Sequence, residues 1–322
     1  DSDDVYVNNG WNALSRYDGL SGQGGPIPIK AIDLAVGPDR CLYLYGRAGW
    51  NEPIYRCDRE FKPVPFSGTG KPTTSKSSAG REVYGRYGMG WSNKGIAVRR
   101  DGHIYVRSMY AWCKYFVAVF KPDGTAAAYG RVAGGILGPL DAGSGGIRLD
   151  RQGCFYVGTQ GLPKAMPRGD KRSGCIVKVG PAGGGVAAEK GQLDGIQFDG
   201  YFFEGAVTAY PDLSPRADSG CVCKEARFDL DDFGRLYVPD VLGFCIRVYD
   251  NAGNLVCKLG HYGNVDSAGP DSRLGDPPIA FGWPMSCGIN RAGRLYVADV
   301  LNQRIVRVDT TFAAEATATV GG

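Results

Sequence analysis

Residues 286–309 read Ser-Cys-Gly-Ile-Asn-Arg-Ala-Gly-Arg-Leu-Tyr-Val-Ala-Asp-Val-Leu-Asn-Gln-Arg-Ile-Val-Arg-Val-Asp. A short apolar run ends at Ile289, a turn closes on Gly293, and a second run centres on Tyr296. After Asp299 and a polar turn, a third run alternates from Arg304 to Val308. Alternation at a period of two marks strands, and the glycine and asparagine positions between them mark tight turns, so the stretch predicts an antiparallel meander.

The central run recurs. Val5-Tyr6-Val7, Leu42-Tyr43-Leu44, Ile104-Tyr105-Val106, Phe155-Tyr156-Val157, Leu236-Tyr237-Val238 and Leu295-Tyr296-Val297 are six copies, with tyrosines spaced by 37, 62, 51, 81 and 59 residues. Copies after the first follow a short strand and a glycine or aspartate turn, as at Gly95–Val98, Gly146–Leu149 and Cys287–Ile289. All six are followed by an alternating strand: 13–17, 53–56, 115–120, 175–179, 245–249 and 304–308. A fourth strand is clearest at Asn254–Leu259. Four antiparallel strands in a unit repeated six times predict an all-β, six-bladed β-propeller forming one domain over residues 1–322.

Residues 286–309, and 226–250 through Gly234-Arg-Leu-Tyr-Val-Pro-Asp240, closely resemble NHL repeats, as does the approach Phe281-Gly-Trp-Pro-Met-Ser-Cys-Gly288. The resemblance implies a propeller of NHL type and is specific for fold rather than activity. It also implies that Asp240 and Asp299 are recurrent turn aspartates. The first blade has no innermost strand before Val5. Either upstream sequence supplied it, or Ala316–Val320 completes the ring; closure through the C-terminal segment is the preferred expectation.

With 37 basic and 33 acidic residues, bulk electrostatics imply no polyanionic partner. No apolar run is long enough to span a bilayer. The ten cysteines include no CxxC pair and weakly favour an oxidising, extracytoplasmic compartment. Cys245 and Cys257 flank the turn at Asp250–Gly253 and are expected to face each other, as a strained disulfide or as two buried thiols.

Length variation concentrates in 67–93, 160–174, 182–224 and 260–285, loops assigned by the repeat to one face of the ring. All five tryptophans, Trp11, Trp50, Trp91, Trp112 and Trp283, fall on that face, with Tyr110, Tyr201 and Phe202. Phe203, Tyr210 and Tyr262 add to the concentration. Such side chains stack on sugars or anchor protein partners. The competing reading is that long loops need small cores of their own.

Catalytic signatures are scarce. His103 and His261 are the only histidines, too few for a three-histidine zinc site. Asp266, Asp271 and Asp276 share one loop as candidate Ca²⁺ ligands, without EF-hand spacing. Lys164, Arg168, Lys171 and Arg172 form a short basic cluster interrupted by Asp170. The leading expectation is a non-enzymatic binding or scaffold module, part of a larger extracytoplasmic protein or assembly, whose aromatic loop face takes a protein surface or a glycan. No cofactor is required. The alternatives are a Ca²⁺-assisted propeller hydrolase or lyase and, less favoured, a single-stranded-RNA-binding domain.

Overall fold

The computed structural model describes residues 3–8, 13–46, 53–75, 95–111, 114–127, 136–141, 146–159, 161–166, 174–187, 189–190, 194–213, 226–264, 266, 271 and 279–311. Among them there is no α-helix. Sheet one contains β1 (Asp4–Asn8), β2 (Leu14–Asp18) and β3 (Gly24–Pro26), and sheet two contains β4 (Asp33–Val36), β5 (Leu42–Tyr45) and β6 (Tyr55–Cys57). Sheet three runs through β7 (Gly95–Val98), β8 (Ile104–Ala111), β9 (Lys114–Phe120) and β10 (Ile136–Asp141). Sheet four begins with β11 (Ile147–Leu149), β12 (Phe155–Thr159) and β13 (Gly174–Val179).

The chain then leaves sheet four. β14 (Gly184–Ala187), β15 (Gly195–Phe198) and β16 (Tyr201–Glu204) extend the preceding sheet, with β14 pairing parallel to β10, before β17 (Ala206–Leu213) returns as the outer strand beside β13. The span 182–224, expected as a between-blade loop, therefore contains an excursion hairpin and a fourth blade strand. Sheet five is β18 (Asp229–Leu230), β19 (Leu236–Asp240), β20 (Cys245–Tyr249) and β21 (Leu255–Leu259). In the stretch 260–285, β22 (His261–Tyr262) pairs parallel with β23 (Ala280–Phe281), and β24 (Pro284–Ile289) already starts sheet six with β25 (Arg294–Asp299) and β26 (Arg304–Asp309).

The tyrosine-centred strands are β1, β5, β8, β12, β19 and β25; each has a described first strand beside it except β1, which is an edge strand. Four strands per unit is a correction in part: among the described residues sheets one, two and six have three. No described strand pairs with the free edge of β1, and Ala316–Val320 lies outside the described residues.

The period-two alternation divides each middle strand between two cores. Leu42 and Leu44 pack with Leu14 toward sheet one, whereas Tyr43 packs with Ile96, Val106 and Phe120 of sheet three. Tyr105 packs against Phe155 and Val157 of sheet four; Tyr156 joins Leu236 and Val238 of sheet five; Tyr237 joins Leu295 and Val297 of sheet six. Each central tyrosine thus faces the next sheet, and its neighbours face the previous one. Full burial of one such aliphatic or aromatic side chain is worth about 1.5–3 kcal/mol, so these five inter-sheet cores are the main stabilising term. Tyr296, the last in the series, donates to the carbonyl of Gly19 in sheet one (3.3 Å), and Asp3 accepts from Arg294 (3.0 Å) and Asn290 (2.6 Å).

In three of the repeats the tyrosine hydroxyl has a carboxylate partner from the preceding turn. The carboxylate of Asp231 accepts from the backbone N–H groups of Phe233 and Arg235 (both 2.9 Å) and from the Tyr237 hydroxyl (3.3 Å). Asp150 does the same for Gln152, Cys154 and Tyr156, and Asp39 for Cys41 and Tyr43. A cation completes each set: Arg56 on Asp39 (2.5 Å), Lys178 on Asp150 (3.5 Å) and Arg235 on Asp231 (2.5 Å).

The expected approach of Cys245 to Cys257 is corrected by the register of β20 and β21. Cys257 lies opposite Val248, Ile246 lies opposite Leu259, and a bulge between Val248 and Tyr249 absorbs an extra residue, so the turn is not symmetric. Both are free thiols, as are Cys41, Cys57, Cys154, Cys175 and Cys287. Burial raises the thiol pKa of Cys257, and the thiol reading holds over the disulfide.

Candidate functional site

The first strands of successive sheets lie side by side: β4 beside β7, β7 beside β11, β11 beside β18 and β18 beside β24. Their side chains meet at a common centre. Arg227, held just before β18 by its backbone bonds to Met285 and Cys287, reaches Asp33 of β4 at 2.6 Å. Arg148 of β11 reaches Asp229 of β18 at 2.7 Å, and the second oxygen of Asp229 accepts from the Ile289 N–H of β24 (2.9 Å). Burial opposes the charge on Arg148, but Asp229 and Asp33 more than offset it and hold its guanidinium above its ordinary value.

Two carboxylates and two guanidiniums therefore brace the centre. A cation seated there would face both arginines, so this donor set does not suit Ca²⁺ or Zn²⁺. Among the described residues, no group of three or more His, Cys, Asp or Glu is arranged to hold a metal. Asp266 and Asp271 are exposed, and Asp276 lies outside the described residues.

At the end of the strands bearing the second-to-third-strand turns, Asp240 and Asp299 act architecturally, as the resemblance implied. Asp240 accepts from Gly243 N–H (3.0 Å) and Arg247 (2.7 Å). Asp299, fully buried, accepts from the N–H groups of Gly282 and Trp283, from Asn302 and from Arg304. These bonds fix the turns Asp240-Val-Leu and Asp299-Val-Leu so that apolar side chains stand outward: Leu242 is 38% exposed, Val300 56%, Leu301 57% and the neighbouring Tyr262 57%.

The turns that carry these side chains are linked. The Tyr262 ring meets Phe244 edge-on at 4.8 Å, Asn302 donates to the Gly263 carbonyl, Leu301 covers Gly282, and Val300 N–H bonds to the carbonyl of half-buried Trp283. Phe244 and Gln303 occupy the same place in the two turns, both with left-handed backbones (φ 52° and 51°). That conformation is costly for a bulky side chain and is held by the fixed turns around it.

The other expected contact residues separate. Phe202 is buried (6% exposed) and Tyr201 is stacked on Phe198 at 5.0 Å, both in the excursion hairpin. Phe203 and Tyr210 are fully buried. In this region the competing reading, that long insertions use aromatics as their own core, is the one the packing supports. Tyr110 sits in β8, and Trp11, Trp50, Trp91 and Trp112 lie outside the described residues, as do Arg168, Lys171 and Arg172. Sequence reasoning missed Leu242, Val300 and Leu301. The repeated Asp-Val-Leu was visible, but aliphatic residues in a turn were overlooked beside the tryptophans.

No family model matches the chain, and no curated protein matches it in sequence. Solved structures similar in shape include an auxiliary nutrient binding protein from Bacteroides ovatus (15% identity, TM-score 0.52) and one from Bacteroides thetaiotaomicron (12%, 0.51). In each case 95% of this chain covers 65% of the other. Virginiamycin B lyase from Staphylococcus aureus is also similar in shape (13%, 0.45; 96% of this chain, 82% of that one). At such identities the likeness concerns fold alone, and the shared fold is of β-propeller class.

Proposed function

We propose that the chain forms a closed six-bladed propeller of NHL-type repeats and serves outside the cytoplasm as a non-enzymatic binding module. The ligand is a protein surface or a glycan, taken at the face bearing the second-to-third-strand turns. The observation that carries this reading is the set of exposed apolar side chains, Leu242, Tyr262, Val300 and Leu301, on linked turns beside Trp283, held outward by buried aspartates. Soluble domains seldom leave such a group of side chains exposed without a use for it. Ring closure is supported by the unbroken rule that each central tyrosine faces the next sheet, with Tyr296 reaching sheet one. The nutrient-binding names of the two Bacteroides proteins are compatible with a ligand-capturing role. No resident cofactor enters this reading, because both central carboxylates are engaged by arginine.

The test is a glycan array, paired with a cross-linking screen against extracellular proteins, comparing the wild-type chain with a Val300→Asp, Leu301→Asp double variant. Both positions are exposed, so the fold is retained. Binding to one ligand class is expected to fall at least about tenfold in the variant, since two apolar contacts are replaced by charges. Equal binding by the two chains, or turnover of a bound ligand, would remove the proposal.

A further inference from the structure

Sheet one differs from the others on the side where they carry a first strand. The Gly19 N–H bonds to the Asp3 carbonyl, and backbone groups alternate in an antiparallel pair. Val5 and Val7 therefore face β2, whereas Tyr6 turns its N–H and carbonyl toward the free edge of β1. Both ends of that edge are anchored. Asp3 accepts from Arg294 and Asn290 of sheet six, and Asn8 donates to the Ile32 carbonyl just before β4. Val5, Tyr6 and Val7 are only half-buried, while Leu42–Tyr45, Phe155–Thr159 and Leu236–Asp240 are buried throughout.

The side chains at this edge form an incomplete set. In sheets two and four a cation lies opposite the tyrosine, and the carboxylate of the turn after the first strand touches both. The sets are Tyr43, Asp39 and Arg56, and Tyr156, Asp150 and Lys178. Sheet one has the same tyrosine and cation, with Tyr6 opposite Arg16. Here Arg16 is held by Asp4 of its own sheet, and the buried Tyr6 hydroxyl makes no hydrogen bond among the described residues. The set lacks only the carboxylate that follows a first strand. First strands in this chain read Asp33-Leu-Ala-Val36 and Gly95-Ile-Ala-Val98, aliphatic at alternate positions. The chain itself leaves β26 at Thr310, bonded through its N–H and its hydroxyl to the Gly293 carbonyl, at the end of the sheets where a first strand finishes rather than enters.

We propose that the free edge of β1 docks an extended segment of a second polypeptide. The segment adds antiparallel to β1 as the first strand of sheet one and brings a carboxylate to the Tyr6 hydroxyl. Main-chain hydrogen bonds supply the affinity, and the alternating aliphatic side chains and the acid supply the selectivity. The proposal concerns sheet one alone and stands independently of the ligand taken at the apolar patch.

Fluorescence anisotropy of the full chain with a labelled, end-capped peptide copying residues 31–39, Ala-Ile-Asp-Leu-Ala-Val-Gly-Pro-Asp, tests the proposal. Saturable one-to-one binding is expected. Two further probes carry N-methyl groups on alternate strand amides, one in each register. One of them should lose about tenfold or more in affinity and the other should retain it, because only one register faces β1. A probe ending in Ala instead of Asp should bind wild type about fivefold more weakly. The acidic and neutral probes should bind Tyr6→Phe alike, since that variant keeps the ring and lacks only the hydroxyl. The proposal is overturned if the parent probe does not saturate, as when the chain's own C-terminal residues hold the edge. It is equally overturned if both methylated probes bind like the parent, or if the advantage of the acid is absent on wild type or survives in Tyr6→Phe.

Discussion

The hydroxyl of Tyr156 sits in a fully buried ring, 3.3 Å from the carboxylate of Asp150 and beneath the ammonium of Lys178. Burial first, and then the neighbouring ionisable groups, push its phenol well above the ordinary value, and Tyr43 and Tyr237 are raised by the same combination. Burial pushes Tyr210 up to about 12. An unfolded tyrosine ionises near pH 10, so the folded chain holds protons that the unfolded chain releases. Their contribution to stability is complete below about pH 10 and is lost as pH rises toward the folded values. Alkaline titration followed by phenolate absorbance should show an early phase from exposed tyrosines. A later steep phase should coincide with loss of the far-ultraviolet dichroism. A single early phase from all tyrosines with the fold intact would contradict this. The tyrosine repeat was legible in the sequence, but its reason was not used: an aspartate or asparagine stands four or six residues earlier in five copies, from Asp39 to Asn290. In the copies of Tyr43, Tyr156 and Tyr237 the capping carboxylate also takes the hydroxyl.

At the scale of the element, register decides what sequence symmetry cannot. The turn at Asp250–Gly253 looks symmetric between Cys245 and Cys257, yet Asp250 accepts from Ala252 and Asn254 N–H and a bulge follows at Val248 and Tyr249. The two thiols are therefore out of step. Alkylation under denaturing, non-reducing conditions followed by mass spectrometry should label both Cys245 and Cys257; an unlabelled, linked pair would refute the register. The strands themselves were readable, since each alternating run predicted after a tyrosine strand is present within a residue or two. The excursion β14–β16 was not readable. Its first strand is Gly-Gly-Val-Ala and its partner β10 is distant in sequence, so neither propensity nor local pattern marks it.

For the whole molecule, the central brace ties sheet two to sheet five and sheet four to sheet five without covalent links. Arg227→Met should destabilise the chain by about 1–3 kcal/mol, because Asp33 loses its charged partner at a part-buried position. Adding Asp33→Asn should recover part of that loss. Urea unfolding of the two single variants and the double variant measures the coupling, and strict additivity would show that the pair does not brace the centre. This contact was invisible in the sequence. Asp33 and Arg227 are remote from one another in sequence, and only the packing of first strands side by side brings them together. The apolar patch was half visible: the loop face was identified from its aromatics, but its described members are mainly aliphatic turn residues.

The seven-stranded sheet that carries β14–β16 onto β10 also has a consequence for biogenesis. On the ribosome, β10 emerges with an open edge, and its partner arrives only after β11, β12 and β13 have been made. Sheet four in turn waits for β17, which is synthesised after the hairpin has left it. Neither sheet can mature before the other is nearly complete, so two repeats that look like separate beads on the sequence become one folding unit, finished in a single step near residue 213.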